Sequence, residues 1–252
     1  MQVLKDIYKL CGEEYRSIPN VFAIKNRDAL TLIDCGTNAS DWEIVKRNME
    51  YWGIDSLPVR EVLITHAHGD HAGNAAMLQK QGAKIYVGQG AASVERSDDP
   101  LNFHYAYPTP FEPFIPDVYV KDKDSLVIRD LSFTCIEAPG HSSGDVCYLV
   151  EMYGKKILFL GDVFHIGEYG SRAWIGYQWF LDSDYDSYMR SLYKLMQVHA
   201  DVLLSAHMQG CLTDADFIKR DAFIQAEEKF DGRWDKKRFI EELYAGDDRT
   251  RR

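Results

Sequence analysis

Residues Thr65-His66-Ala67-His68-Gly69-Asp70-His71 place three imidazoles and one carboxylate within six consecutive positions. Histidine is the commonest metal ligand, and imidazole mixed with carboxylate suits zinc or iron better than calcium or magnesium. In an extended loop, side chains alternate with period two, so His66 and His68 point the same way. Gly69 allows the backbone to turn, which sends Asp70 and His71 in another direction. The simplest reading is one histidine pair for one metal and an Asp-His pair for a second. The alternative is a polar loop in which Asp70 caps a helix. That leaves the three adjacent histidines unexplained, since they contribute nothing as caps.

The positioning elements are legible around this run. Val62 to Thr65 is short, apolar and β-branched, the pattern of a buried strand, and Ala72 to Gln81 reads as a helix. The cluster therefore sits on a strand-to-helix loop. Three further residues repeat the placement. His141 follows the strand Leu131 to Glu137, Asp162 follows Ile157 to Leu160, and His207 follows Val202 to Ser205. Ligands in open α/β sheets collect past the C-terminal ends of strands. Each of the three alone reads as an ordinary hydrogen-bonded loop residue; beside the first cluster they read as missing ligands.

The set His66-Ala67-His68-Gly69-Asp70-His71, His141, Asp162 and His207, in that order, resembles the metallo-β-lactamase-fold superfamily over about 21–207. The resemblance implies an α/β fold, a four-layer αβ/βα sandwich with a metal site along one edge. It also implies that His66, His68 and His141 bind one metal, that Asp70, His71 and His207 bind the other, and that Asp162 bridges them. Asp34, in Leu32-Ile33-Asp34-Cys35-Gly36, matches a strand-end aspartate that supports the ligand loop. Two zinc ions are the expected cofactors, with iron and manganese as alternatives.

Composition fits one domain spanning 1–252, with a Pro/aromatic-rich insertion at about 97–117 and a charged helical extension at about 211–252. The formal charge of −10 disfavours a nucleic-acid partner. Five cysteines without a CxxC pair read as reduced thiols, and the first residues lack a basic start followed by an apolar run. The expected location is cytoplasmic, and no stretch is long enough to span a membrane. A homo-oligomer is compatible with this composition.

Other elements are readable. Asn20 to Ile24 and Ala29 to Asp34 form strands, and Trp42, Val45, Met49 and Trp52 mark a helix capped by Asp41. Lys84 to Val87 is a further strand. Val146 to Val150 and Lys156 to Leu160 form a hairpin about Tyr153-Gly154, and Asp184 to His199 is a helix. Phe217, Ile218, Phe223 and Ile224 dock the C-terminal helices, and Asp247 to Arg252 fray.

Two segments stand out from the scaffold. Ser97 to Asp117 holds five of the eight prolines together with Phe103, Tyr105, Tyr107, Phe111 and Phe114. Val163 to Ser183 carries Phe164, Tyr169, Trp174, Tyr177, Trp179 and Phe180. Together they form an aromatic-walled cleft for a small-molecule substrate with an apolar or aromatic portion. The alternative is that they pack on the scaffold or on a partner subunit. Arg172 is placed to hold a substrate carboxylate, and Tyr169 or Tyr177 to stabilise an oxyanion. His165 and His104 are further polar candidates.

The expected enzyme is a dinuclear zinc-dependent hydrolase that cleaves an ester, lactone, thioester or amide. A metal-bridging hydroxide serves as nucleophile, and Asp70 orients it or relays a proton. Glyoxalase II-like thioesterases and lactonase-like enzymes are the nearest branches. The chain lacks the Gly-Cys-Gly-Arg run usual after the bridging aspartate of glyoxalase II, and its extension after His207 is short for a glutathione-binding domain. The alternatives are a mononuclear iron dioxygenase acting on a persulfide-type substrate through His66, His68 and His141 or Asp162, β-lactam hydrolysis, and a non-catalytic binding protein.

Overall fold

Alternation along apolar strands decides the architecture. The computed structural model describes residues 1–107, 109–231 and 233–239, the side chain of Tyr169 excepted. The strands are β1 Gln2–Leu4, β2 Ile7–Cys11, β3 Val21–Asn26, β4 Ala29–Ile33, β5 Val59–Leu63, β6 Lys84–Gly88 and β7 Val118–Val120. They are followed by β8 Ser125–Ile128, β9 Leu131–Glu137, β10 Val146–Met152, β11 Lys155–Gly161, β12 Phe164–Ile166, β13 Ala173–Ile175, β14 Val202–Ser205 and β15 Gly210–Cys211. The α-helices are α1 Ala39–Tyr51, α2 Gly69–Ala72, α3 Ala75–Lys80, α4 Tyr185–Met196 and α5 Ala215–Lys229.

Strands β1 to β7 form one sheet in sequence order, a second runs β15-β14-β11-β10-β9-β8, and β12 and β13 pair in a small third. Ile157 and Phe159 of β11 enter the core shared with Phe22, Ile24 and Leu63 of the first sheet, while Leu158 and Leu160 face α4 and α5. Leu30 and Leu32 of β4 likewise face α1, whereas Ile33 faces the second sheet. Strands buried on both faces read as continuous apolar runs, and a helix layer must cover each outer face. The result is the expected four-layer sandwich.

Pairing places the site. Strands β4 to β7 run parallel, as do β11 and β14, with β9 and β11 each antiparallel to β10 between them. The C-terminal ends of β4, β5, β9, β11 and β14 thus carry Asp34, the His66–His71 loop, His141, Asp162 and His207. The two sheets meet there: Val146 N–H donates to Thr65 O at 2.8 Å, and the Tyr148 hydroxyl donates to Ile64 O at 2.8 Å.

Several elements differ from the sequence reading. The cap of α1 is Asn38, whose side chain accepts from Ser40 N–H at 2.9 Å, whereas Asp41 lies inside the helix and accepts from Thr37 N–H at 2.8 Å. The helix expected over Ala72 to Gln81 is two, α2 and α3. At the break, Asn74 Nδ2 donates to Cys35 O at 2.8 Å and to Asn38 O at 3.0 Å. A Cβ on Gly73 would meet Thr37 O at 1.9 Å, so only glycine permits that approach. On α5, Ile218 is buried and Phe223 partly so, but Phe217 and Ile224 are exposed. The inward face of α5 is the Ile218, Ala222, Ala226 row, and Phe217 and Ile224 fall off it. Residues 240–252, including the tail from Asp247 to Arg252, lie outside the described part.

The sandwich predicts a sharp contrast between positions on the second sheet. Phe159→Ala, which empties the centre of the shared core, is expected to cost about 3–5 kcal/mol in chemical denaturation. Val127→Ala, at a side chain 76% exposed, should stay within about 0.5 kcal/mol. Comparable losses at both positions would contradict the layer assignment.

Candidate metal centre

Asp34 organises the loop from behind. It ends β4 with φ at 58°, a left-handed conformation that aspartate tolerates better than most residues. Its carboxylate accepts from Thr65 N–H at 2.8 Å and from the Thr65 hydroxyl at 2.9 Å. This bond to Thr65 N–H explains why β5 ends at Leu63, before the expected Thr65. Asp34 also faces His71 Nδ1 at 3.0 Å. Gly69 opens α2 and does not need a positive φ. Its role is close approach, since a Cβ there would meet the Tyr107 ring at 3.1 Å.

The hydrogen-bond network fixes the imidazole orientations. With its proton committed to Asp34, the Thr65 oxygen accepts from His66 Nδ1 at 3.1 Å, leaving His66 Nε2 as a bare lone pair. His71 Nδ1 donates to Asp34, His141 Nδ1 to Gly176 O at 2.6 Å, and His207 Nδ1 to Ile18 O at 3.1 Å. With Nδ1 committed in all four, Nε2 is the nitrogen that each turns inward, an orientation that partners behind metal-ligating histidines impose. His66 Nε2, His71 Nε2 and Asp162 Oδ1 are buried without any hydrogen-bond partner.

These atoms converge. Donor atoms of His66, His68 and His141 lie within 4.8 Å of one another, as do those of Asp70, His71 and His207, and His66, His71 and Asp162 form a third such group between them. His68 Nδ1 is 3.2 Å from His141 Nε2, and His71 Nε2 is 3.3 Å from Asp70 Oδ2. Asp162 Oδ2 stands 3.6 Å from His141 Nε2, 3.6 Å from His71 Nε2 and 3.2 Å from His207 Nε2, so one oxygen faces both trios. A tetrahedral ion with bonds of about 2.1 Å has ligand-to-ligand edges of about 3.4 Å. The donor set fits metal ions in spacing, in atom type and in the atoms it leaves without a hydrogen-bond partner, His66 Nε2, His71 Nε2 and Asp162 Oδ1.

Electrostatics separates the trios. Burial, helped by neighbouring imidazoles, drives His66 well below its ordinary range and His68 down to about 3, which keeps both neutral, the metal-binding form. Burial also resists protonation of His71 and His207. There the carboxylates win: Asp70, Asp162 and Asp34 hold His71 well above its usual range, and Asp162 and Asp70 hold His207 at about 10. Burial opposes ionisation of Asp70 and Asp162, but the imidazoles of His71 and His207 keep both carboxyls well below the ordinary range. The same field attracts any cation.

A cleft of about 330 Å³ opens onto the trios, lined by His68, Asp70, His141, Asp162 and His207 together with Glu13, Ile18, Phe103, Tyr107, His165, Gln178, Phe180 and Met208. Of the expected aromatic walls, Phe103, Tyr107 and Phe180 reach it. Phe111, Phe114 and Phe164 are buried in the cores, while Tyr105, Trp174 and Trp179 are exposed. His104 turns to Asn102 Oδ1 at 2.9 Å and stays out of the lining.

Two of the expected substrate residues are placed elsewhere. Arg172 is 68% exposed and faces Asp221 of α5 at 3.8 Å, because that helix supplies the nearer carboxylate. The Tyr177 ring is packed among Tyr188, Phe230 and Trp179, with centroids 5.5, 4.9 and 4.9 Å away. The Tyr169 side chain lies outside the described part. A different tyrosine borders the site: Tyr107 lines the cleft together with Asp70, and burial followed by the Asp70 charge pushes its hydroxyl strongly toward the neutral form. Tyr107 was named from the sequence only as a cleft wall, and Glu13 and Gln178 were not singled out. All three sit on irregular segments with no periodicity to orient them.

A family model for the Metallo-beta-lactamase superfamily matches residues 15–207. The chain belongs to that superfamily. Among its metallo-beta-lactamase relatives, a "Hydroxyacylglutathione hydrolase" of Francisella tularensis subsp. novicida (strain U112) is 30% identical over 154 residues, 61% of this chain and 50% of the relative. A namesake from Francisella philomiragia is 33% identical over 132 residues, 52% of this chain and 42% of the relative. The chain thus spans about half the length of the curated relatives it matches. A metallo-beta-lactamase family protein of Thermus thermophilus superposes with a TM-score of 0.74 at 16% identity, covering 91% of this chain and 82% of that one. A native metallo-beta-lactamase from Legionella gormanii gives 0.67 at 21%, covering 89% and 91%. At these identities the two structures speak to the fold.

The Asp34 network predicts a metal-retention defect without loss of any ligand. Asp34→Asn keeps an acceptor for Thr65 N–H but presents an amide to His71. Chelator competition should show zinc held about 10- to 100-fold more weakly. Unchanged retention would remove Asp34 from the support of the centre.

Proposed function

We propose that this chain is a dinuclear zinc hydrolase acting on a small carbonyl compound: an ester, lactone, thioester or amide. The observation that carries this reading is Asp162, whose Oδ2 lies within 3.6 Å of nitrogens from both histidine trios. His66, His68 and His141 would hold one ion, Asp70, His71 and His207 the other, and Asp162 both. Ions bound there supply a hydroxide nucleophile at neutral pH and polarise the carbonyl.

The remaining chemistry falls to the chain. Asp70 and Asp162 lie buried at the floor of the cleft and orient the attack by accepting hydrogen bonds from the nucleophile. Tyr107, its hydroxyl kept neutral, lines the cleft with Asp70 and would turn its one O–H to the developing oxyanion. His165 presents a buried imidazole whose Nδ1 has no partner, a ready hydrogen-bond group for the leaving side. Phe103 and Phe180 keep water away from the floor. No serine or cysteine nucleophile is required. The second trio supports two ions over a single iron, which would leave Asp70, His71 and His207 without a purpose. The names of the Francisella relatives favour thioesters among the substrates, although only half of those proteins is matched.

Elemental analysis of protein purified without chelator should find close to two zinc ions per chain, and Asp162→Ala should lower kcat by at least about 1,000-fold while leaving the fold intact. One iron per chain, or turnover surviving in Asp162→Ala, would defeat the bridged-zinc reading.

A further inference from the structure

The cleft is asymmetric, and its two rims differ in kind. On the side of His68 and His141 stands an aromatic grip. The Phe103 and Phe180 centroids are 4.7 Å apart, edge to face, and Phe180 lies 4.8 Å from His68 and 5.2 Å from His141. On the side of His207 stand Ile18, whose carbonyl binds that histidine, Met208 and His165, and the exposed Glu13 also lines the cleft. Among the described residues, no lysine or arginine lines the cleft. Lys9 Nζ donates to Glu14 at 2.8 Å and to Met208 O at 2.8 Å, and Arg172 faces Asp221.

A carboxylate or phosphate on the substrate, beyond reach of the ions at the reacting carbonyl, would lose water here and find no cationic side chain in the lining. It would also meet Glu13. A neutral or ammonium-bearing group meets neither penalty, and its apolar portion fits the phenylalanine pair. Resting on the hydrolase reading above, we infer that the site selects uncharged or cationic acyl compounds with an apolar or aryl portion and discriminates against anionic ones. Phe103 and Phe180 hold the apolar portion, and Glu13 sets the charge preference. This disfavours any substrate whose recognition depends on a free carboxylate remote from the scissile bond.

Two sets of probes separate the inference from the reading beneath it. The first is phenyl acetates bearing a para propyl, propionate or ethyltrimethylammonium group, whose spacers keep leaving-group reactivity matched. The second is benzohydroxamates with the same three groups, which bind metal and are not hydrolysed, measured by calorimetry on the zinc-loaded protein. The propyl and ammonium members should exceed the propionate by at least about tenfold in kcat/KM and in affinity. Glu13→Gln should narrow the ammonium-to-propionate ratio by about threefold, as suits an exposed charge. Phe180→Ala should weaken all three hydroxamates by about tenfold, irrespective of charge. Esters untouched while the hydroxamates keep the charge order would sink the hydrolase reading and leave the cleft assignment standing. Esters cleaved with the propionate equal or preferred would overturn the inference and leave the hydrolase intact. Equal hydroxamate affinities would overturn it as well.

Discussion

Imidazole nitrogens and carboxylate oxygens cannot be crowded in a dry place without a proton or a metal ion between them. His68 Nδ1 and His141 Nε2 stand 3.2 Å apart, with the unpartnered Nε2 atoms of His66 and His71 beside them and two carboxylates across from them. Everything around the site is arranged to hold that crowding. Asp34 accepts a left-handed backbone to reach Thr65 and His71 together, and Gly176 and Ile18 give up carbonyls to hold His141 and His207. The arrangement makes no sense as a means of stabilising the fold alone, because every inward atom adds a desolvation penalty that only a cation offsets.

Much of this was legible in the sequence because strands buried on both faces announce themselves as apolar runs, and ligands placed at their ends follow the runs. Val202-Leu203-Leu204-Ser205 before His207 is such a case, with alternate residues facing different cores. Asp34 was legible through the family resemblance, as an aspartate at a strand end. The α1 cap was misplaced because Asn38 and Asp41 are both good caps three residues apart. What separates them is Ser17, a hydrogen-bond partner from a distant segment that draws Asp41 into the helix interior.

The cleft was less legible. In a proline-rich segment no period relates neighbouring side chains, so Tyr105 and Tyr107 look alike although one faces solvent and the other reaches Asp70. The loop after Asp162 misled for a related reason. Arg172 and Tyr177 have the right chemistry, but their partners, Asp221 and Phe230, come from a helix and its end some fifty residues later in the chain. Glu13 gave no signal at all, since a carboxylate on a short turn usually faces only water.

Ligands from opposite halves of the sandwich have a mechanical meaning. His66, His68, Asp70 and His71 leave the first sheet, and His141, Asp162 and His207 leave the second. All five cysteines are free, so no covalent cross-link ties the sheets together. Ions held at this edge would act as a clasp, joining positions as distant in the chain as His66 and His207 and stabilising the closed sandwich in step with their occupancy. The chain's persistence would then rise and fall with the supply of metal.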